Sequence, residues 1–245
     1  MKTLVGQVKM ETRLFLRGKQ ALFFNLAFPV IMIFIFGSVF GGQSWSGVPA
    51  INYILPGIIV MAMMMVCMVN NAVSITTERD DGVYRRLSLT PLKRWTLLTG
   101  HVFVRYLVAL VSTAILISIG VVVFKAHIGG NHLLFLSVIT LGALTFVTLG
   151  FVIAALVKNT NSAQALTQAV LFPFLFLGAC FWPLDQIPSF LHPVCEVLPT
   201  LHLNDALRVI AVQGNGFSGI WQDLLVLAGW LVGCSVIAVK FFKWE

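Results

Sequence analysis

Residues 133–157 read LLFLSVITLGALTFVTLGFVIAALV, 25 consecutive positions without Asp, Glu, Lys or Arg. At about 1.5 Å of rise per residue, a helix of that length crosses the roughly 30 Å of a bilayer's hydrocarbon core. A transmembrane strand would alternate in polarity over about ten residues, and this run does not alternate. Comparable runs lie on both sides of it, at 21–41, 52–74, 101–124, 164–182 and 222–242. Of the chain's 245 residues 58% are hydrophobic and 10% charged, where a soluble domain carries about 25% charged. The sequence predicts an all-α membrane protein with six transmembrane helices.

Cations decide how those helices thread. Lys2, Lys9, Arg13, Arg17 and Lys19 precede the first span, and Arg79, Arg85, Arg86, Lys93 and Arg94 separate spans two and three. Lys158 follows span four, and Lys240 and Lys243 close span six. The opposite side holds only Lys125 and Arg208, while Arg105 lies inside span three, near enough to its basic end to snorkel. A 13-to-2 split places both termini in the cytoplasm of a bacterial-type inner membrane. The net charge of +7 thus reads as membrane topology and not as a nucleic-acid surface.

The first 19 residues are not a cleavable signal, which would be a short basic region and a 7–15-residue apolar core. Leu4, Val5, Val8, Thr12, Phe15 and Leu16 recur at helical spacing, with Gln7, Arg13 and Arg17 turned elsewhere. Residues 1–19 read either as an amphipathic helix in the cytoplasmic interface or as a plain basic flank.

Charge is concentrated in ERDDGVYRRLSLTP, residues 78–91, where six charged residues fall between Glu78 and Arg86. Acids ahead of the Arg pair suit a short helix and its dipole, and Pro91 ends it. Mixed signs fit a docking surface for a protein partner; the plain alternative is a solvated loop.

Two motifs, in order, carry a resemblance. One is Glu78-Arg79-x-x-Gly82, then Arg86-Leu87 and Thr90-Pro91, with Gly100 opening span three. The other is GACFWPLDQIPSFLHPVCEVLPTLHLNDALR, residues 178–208, with Pro199, Asp205 and Arg208 in a Pro-x-x-x-x-x-Asp-x-x-Arg pattern. Together with the six-span order they resemble the ABC type-2 exporter permease family, over nearly the whole chain. Asp80-Asp81 departs from the Glu and variable residue of many relatives and bears on which ATPase is paired.

The resemblance implies that 78–91 is a cytoplasmic coupling helix. Glu78, Arg79, Asp80, Asp81, Gly82, Tyr84, Arg85, Arg86 and Pro91 would dock an ABC ATP-binding subunit, two copies of which serve a homodimer of this chain; a heterodimer with a related permease stays open. It also implies a cavity lined by spans two and five of both protomers, with Met61, Met64, Met65, Met68, Asn70, Asn71, Gln164, Gln168, Phe172 and Phe176 as its surface. Read from the residues alone, the amides serve equally as interhelical glue and the Met and Phe sets as packing. The resemblance further makes 183–213 an extracytoplasmic helical hairpin capping the exit, with Pro199, Asp205 and Arg208 within it.

The chain has no G-x-x-x-x-G-K-[ST] phosphate loop, H-E-x-x-H or Cys-x-x-Cys. No catalytic residue and no metal or cofactor site is expected; ATP and Mg²⁺ would be held by the partner subunit. His192 and His202 show no ligand spacing. Cys180 and Cys195 read as two reduced thiols or as a disulfide. The expected function is ATP-driven export of a lipophilic drug or natural product by alternating access. Export of lipid or lipid-linked polysaccharide is the alternative in the same family; a secondary transporter or scaffold is the alternative outside it.

Overall fold

The computed structural model describes residues 6, 12–13, 23–45, 48–88, 94–126, 129–213 and 217–241. The expected interfacial helix at 1–19 lies outside the described residues apart from Gly6, Thr12 and Arg13, and so does Pro91.

A wide π turn, Phe23–Ala27, leads into α1, Phe28–Phe40, with Pro29 in its first turn, where a missing N–H costs nothing. A two-residue antiparallel ladder, Ser44–Trp45 with Val48–Pro49, joins α1 to α2. Helix α2, Ala50–Asp80, runs for 31 residues and contains one π turn, Met65–Val69. Gly82, at φ 68°, supplies the left-handed residue that ends α2 and lets α3, Val83–Ser88, turn away. Helix α4 is Arg94–Phe124 and α5 is His132–Leu156. The Asn131 side chain starts α5 by accepting from the backbone of Leu133 and Leu134, at 2.9 and 3.3 Å. Asn159 does the same for α6, Thr160–Leu177, through Ser162 N at 2.8 Å. Beyond it come the short α7, His192–Cys195, then α8, Pro199–Arg208, and finally α9, Trp221–Phe241.

Among the described residues four helices are long and apolar enough to cross a membrane: α2, α4 over Leu98–Phe124, α5 and α9. The other two expected spans are helical but fall short of that standard. The first is apolar only over Asn25–Phe40. The fifth was expected to reach 182 but stops at Leu177, because Gly178 and a left-handed Ala179 (φ 50°) break the helix.

The helices differ in what surrounds them. About 72% of the apolar window of α2, and of α5, is buried within the protein, against 28% for α4 and 11% for α9. Leu107, Val111, Ile115 and Val122 on α4, and Leu225, Val232, Val236 and Val239 on α9, are exposed. An apolar outer face around an apolar interior is what a helix bundle presents to lipid. Polar side chains join the inner helices: Asn71 Nδ2 donates to Val147 O at 3.1 Å, and Thr145 Oγ1 donates to Leu227 O at 3.3 Å. Arg105, expected to snorkel, is instead buried at 3% exposure, its carbonyl 3.9 Å from Cys67 Sγ in the π turn of α2.

Gly57 lies where α2 passes the backbone just beyond α6. A Cβ there would sit 1.6 Å from the carbonyl oxygen of Cys180, so only glycine lets α2 pass the end of α6.

Candidate functional site

The charged stretch turns largely inward. Glu78 Oε2 accepts from Tyr84 OH at 3.0 Å and lies 3.1 Å from Nε2 of His101, which is buried on α4. Arg79 donates through Nη1 to Ala154 O at 3.2 Å and through Nη2 to Val157 O at 2.6 Å. These carbonyls belong to the end of α5, where four C=O groups lack helical partners, and a cation suits that end of the helix dipole. Asp80 Oδ2 accepts from both Thr160 N and Thr160 Oγ1, each at 2.8 Å, which satisfies an orphan N–H at the start of α6.

The residues left facing outward are fewer than the expected set. Asp80, Asp81 and Arg86 are exposed, Asp80 held by Thr160 and Arg86 Nη2 donating to Asp81 O at 3.1 Å, and Gly82 is half-buried. Tyr84 is buried at 6% exposure. The Arg85 side chain lies outside the described residues.

The expected cavity residues divide into two groups. Met61, Met64, Met68 and Asn71 are buried, because α2 is enclosed by its neighbours, and Met65 and Asn70 are half-buried. The methionines therefore pack the interior of the protein and do not form an open apolar surface. Gln164, Gln168, Phe172 and Phe176 are all exposed and follow one another at four-residue spacing, a single stripe along α6 that runs from amide to aromatic. Most of the first group is enclosed and the second is exposed, and the Met65–Val69 turn packs against α6. An apolar groove of about 500 Å³ lies elsewhere, between α5 and α9, lined by Ser137, Leu141, Phe217, Trp221, Leu224, Leu225 and Ala228.

The segment 183–213 closes over the end of α6. Thr200, Asn204 and Arg208, each four residues apart on α8, reach its terminal carbonyls in turn. Thr200 Oγ1 donates to Phe174 O at 3.0 Å, Asn204 Nδ2 to Ala179 O at 2.6 Å, and Arg208 Nη2 to the same Ala179 O at 2.5 Å. Arg208 also donates to Tyr53 O at 3.2 Å, lies 3.6 Å over the Tyr53 ring, and pairs with half-exposed Asp205 at 3.3 Å. Pro199 opens α8 at its first turn, where no N–H is needed.

His202 bridges α8 to α9. Its Nδ1 is 2.7 Å from Asp223 Oδ1 and its Nε2 2.7 Å from Glu196 O. Both partners are acceptors, so the doubly protonated ring satisfies both, and the bond to Asp223 raises the imidazole pKa above 6.5. Cys180 and Cys195 are buried free thiols, which favours the reduced alternative. Among the described residues no cluster of His, Cys, Asp and Glu is arranged to hold a metal.

Thr160, His101, Tyr53 and Asn204 were not singled out by the sequence. The run Asn159-Thr160-Asn161-Ser162 carries a helix-start signature, and the spacing of 200, 204 and 208 places three polar side chains on one helix face.

A family model described as ABC-2 type transporter matches residues 7–212. The "Daunorubicin resistance ABC transporter permease protein DrrB1" of Streptomyces coeruleorubidus is 29% identical over 86% of this chain and 73% of its own length. The "Probable multidrug ABC transporter permease YbhR" of Escherichia coli (strain K12) is 22% identical over 70% of this chain and 47% of its own. The "ABC transporter G family member 20" of Dictyostelium discoideum is 29% identical over 77% of this chain and 26% of its own. The matched part of the chain thus spans about a quarter of one of these proteins and just under half of another.

Proposed function

The chain belongs to the ABC-2 type transporter family, and from that membership we propose that it is the membrane subunit of an ATP-driven exporter. It is a multi-pass membrane protein without a phosphate loop of its own, so a separate ABC ATP-binding subunit, carrying ATP and Mg²⁺, supplies the energy. The helix α3 and the exposed charges of Asp81 and Arg86 are where that subunit docks. Six spans, with α1 and α6 completing the four longer helices, put both termini and this docking face in the cytoplasm. Two copies of the chain, each with one ATP-binding subunit, face one another across the α6 stripe, and ATP-driven closure switches the enclosed path from inward- to outward-open. The cargo is lipophilic, in keeping with the aromatic half of the stripe and with the daunorubicin resistance and multidrug transport in the names of two of the relatives.

The family match over residues 7–212 carries this reading. Its test is purification of the tagged chain from its host membrane in mild detergent. Recovery of a stoichiometric soluble partner bearing a phosphate loop, with ATPase activity that rises on assembly, is the expected result. A functional complex without any nucleotide-binding protein refutes the reading.

A further inference from the structure

Three consecutive residues at the end of α2 each hold a different part of the fold. Glu78 binds Tyr84 of α3 and His101 of α4, Arg79 binds the last carbonyls of α5, and Asp80 binds the first turn of α6. The α5–α6 connection is only Val157–Asn159, gripped by Arg79 at one end and followed at once by the Asp80–Thr160 bonds. Helix α3 is joined to α2 by the two-residue turn Asp81-Gly82 and fastened again through Tyr84 to Glu78.

Stability alone is a poor account of the Asp80–Thr160 contact. Asp80 is exposed, and a hydrogen bond that caps a helix start is a modest part of the folding free energy. Its effect is geometric: the start of α6 follows the end of α2, and the end of α2 follows α3. Resting on the proposed role as an ATP-driven permease, we infer that Asp80 and Thr160, with Arg79, are positioning residues that transmit displacement of α3 into α6. The moving part would carry Gln164, Gln168, Phe172 and Phe176, all on the exposed face of α6. Most of the docking motif thus acts behind the docking surface, as the linkage from it to the transport path.

The test uses the assembled complex with its ATP-binding subunit. All four native cysteines are buried, so Gln168→Cys places a single reactive thiol on the exposed stripe for a spin label. In the otherwise native complex, ATP with vanadate shifts the label's spectrum. Thr160→Val and Asp80→Asn, two independent ways to weaken the contact, leave the ATP-binding subunit bound and hydrolysing ATP but abolish the shift. Thr160→Ser, which keeps the hydroxyl, restores it, a rescue that a general packing role does not give. An undiminished shift in both weakened variants overturns the inference, as does hydrolysis without any shift in the unaltered complex. Failure to recover an ATP-binding subunit with the unaltered chain refutes the proposed function instead, and shows itself before any variant is made.

Discussion

Arg208 sits between two carbonyls from distant parts of the chain, donating to Ala179 O at 2.5 Å and to Tyr53 O at 3.2 Å with its guanidinium over the Tyr53 ring. One side chain thereby ties the end of α6 to the beginning of α2. Arg208→Ala removes one of the two side-chain donors to Ala179 O together with the donor to Tyr53 O and the ring contact, and should cost about 3 kcal/mol, read as a large fall in melting temperature in detergent. Arg208→Lys keeps the charge but loses the planar fork, and should recover less than half of that loss.

Gly57 offers a sharper steric test. Gly57→Ala drives a methyl group into the Cys180 carbonyl and should destabilise by at least about 3 kcal/mol, or prevent accumulation of folded protein. Gly229, beside open space, is the control. Gly229→Ala should leave melting unchanged or slightly raised.

Ala179 predicts the opposite sign. Its φ of 50° costs a side-chain-bearing residue about 1–2 kcal/mol, and glycine removes that strain at a smaller entropic cost in the unfolded chain. Ala179→Gly should raise the melting temperature by an amount equivalent to about 0.5 kcal/mol.

His202 gives the segment around α8 a pH dependence. Its folded pKa is raised, first by the Asp223 bond, so the stabilisation is fully present below about pH 6.5 and is lost as pH rises through the folded value. Melting measured from pH 5.5 to 8.5 should decline across that window. Asp223→Asn should flatten the decline, and an unchanged slope in that variant would place the dependence elsewhere.

Charge reversal tests the outward face. Arg86→Glu, combined with Arg85→Glu, should lower recovery of the ATP-binding subunit by about tenfold while leaving melting within about 1 °C, because Arg86 is exposed and its contact among the described residues is to Asp81 O of its own turn. Full recovery would move the docking site away from α3.

What could be read in advance follows from which partners leave a trace in the side-chain pattern. Residues 133–157 show their helix directly, since an uncharged run of that length has few other solutions, and Asn131 and Asn159 mark helix starts by residue type. The early end of α6 was masked by the apolar residues Ala179, Cys180, Phe181 and Trp182, which prolong the hydrophobic run past the helix itself. Burial of Met61, Met64 and Met68 was equally hidden, because a helix apolar on every face does not reveal which side meets lipid. Most of Glu78–Asp80's work escaped notice for a different reason. The acceptors of Arg79 are the backbone carbonyls of Ala154 and Val157, and no residue type advertises a carbonyl. Charge alone announced a site there and could not say which way it pointed.

The capping of α6 by α8 also bears on biogenesis. The donors for Phe174 O and Ala179 O lie 25 to 29 residues further along the chain. Until the ribosome has delivered Asn204 and Arg208, the buried Ala179 carbonyl just past α6 lacks both of its side-chain donors, in apolar surroundings that tolerate an unpaired carbonyl poorly. A nascent chain halted before Thr200 is therefore an intermediate that quality-control proteases can recognise. Translation through Arg208 completes a helix that was synthesised well before it.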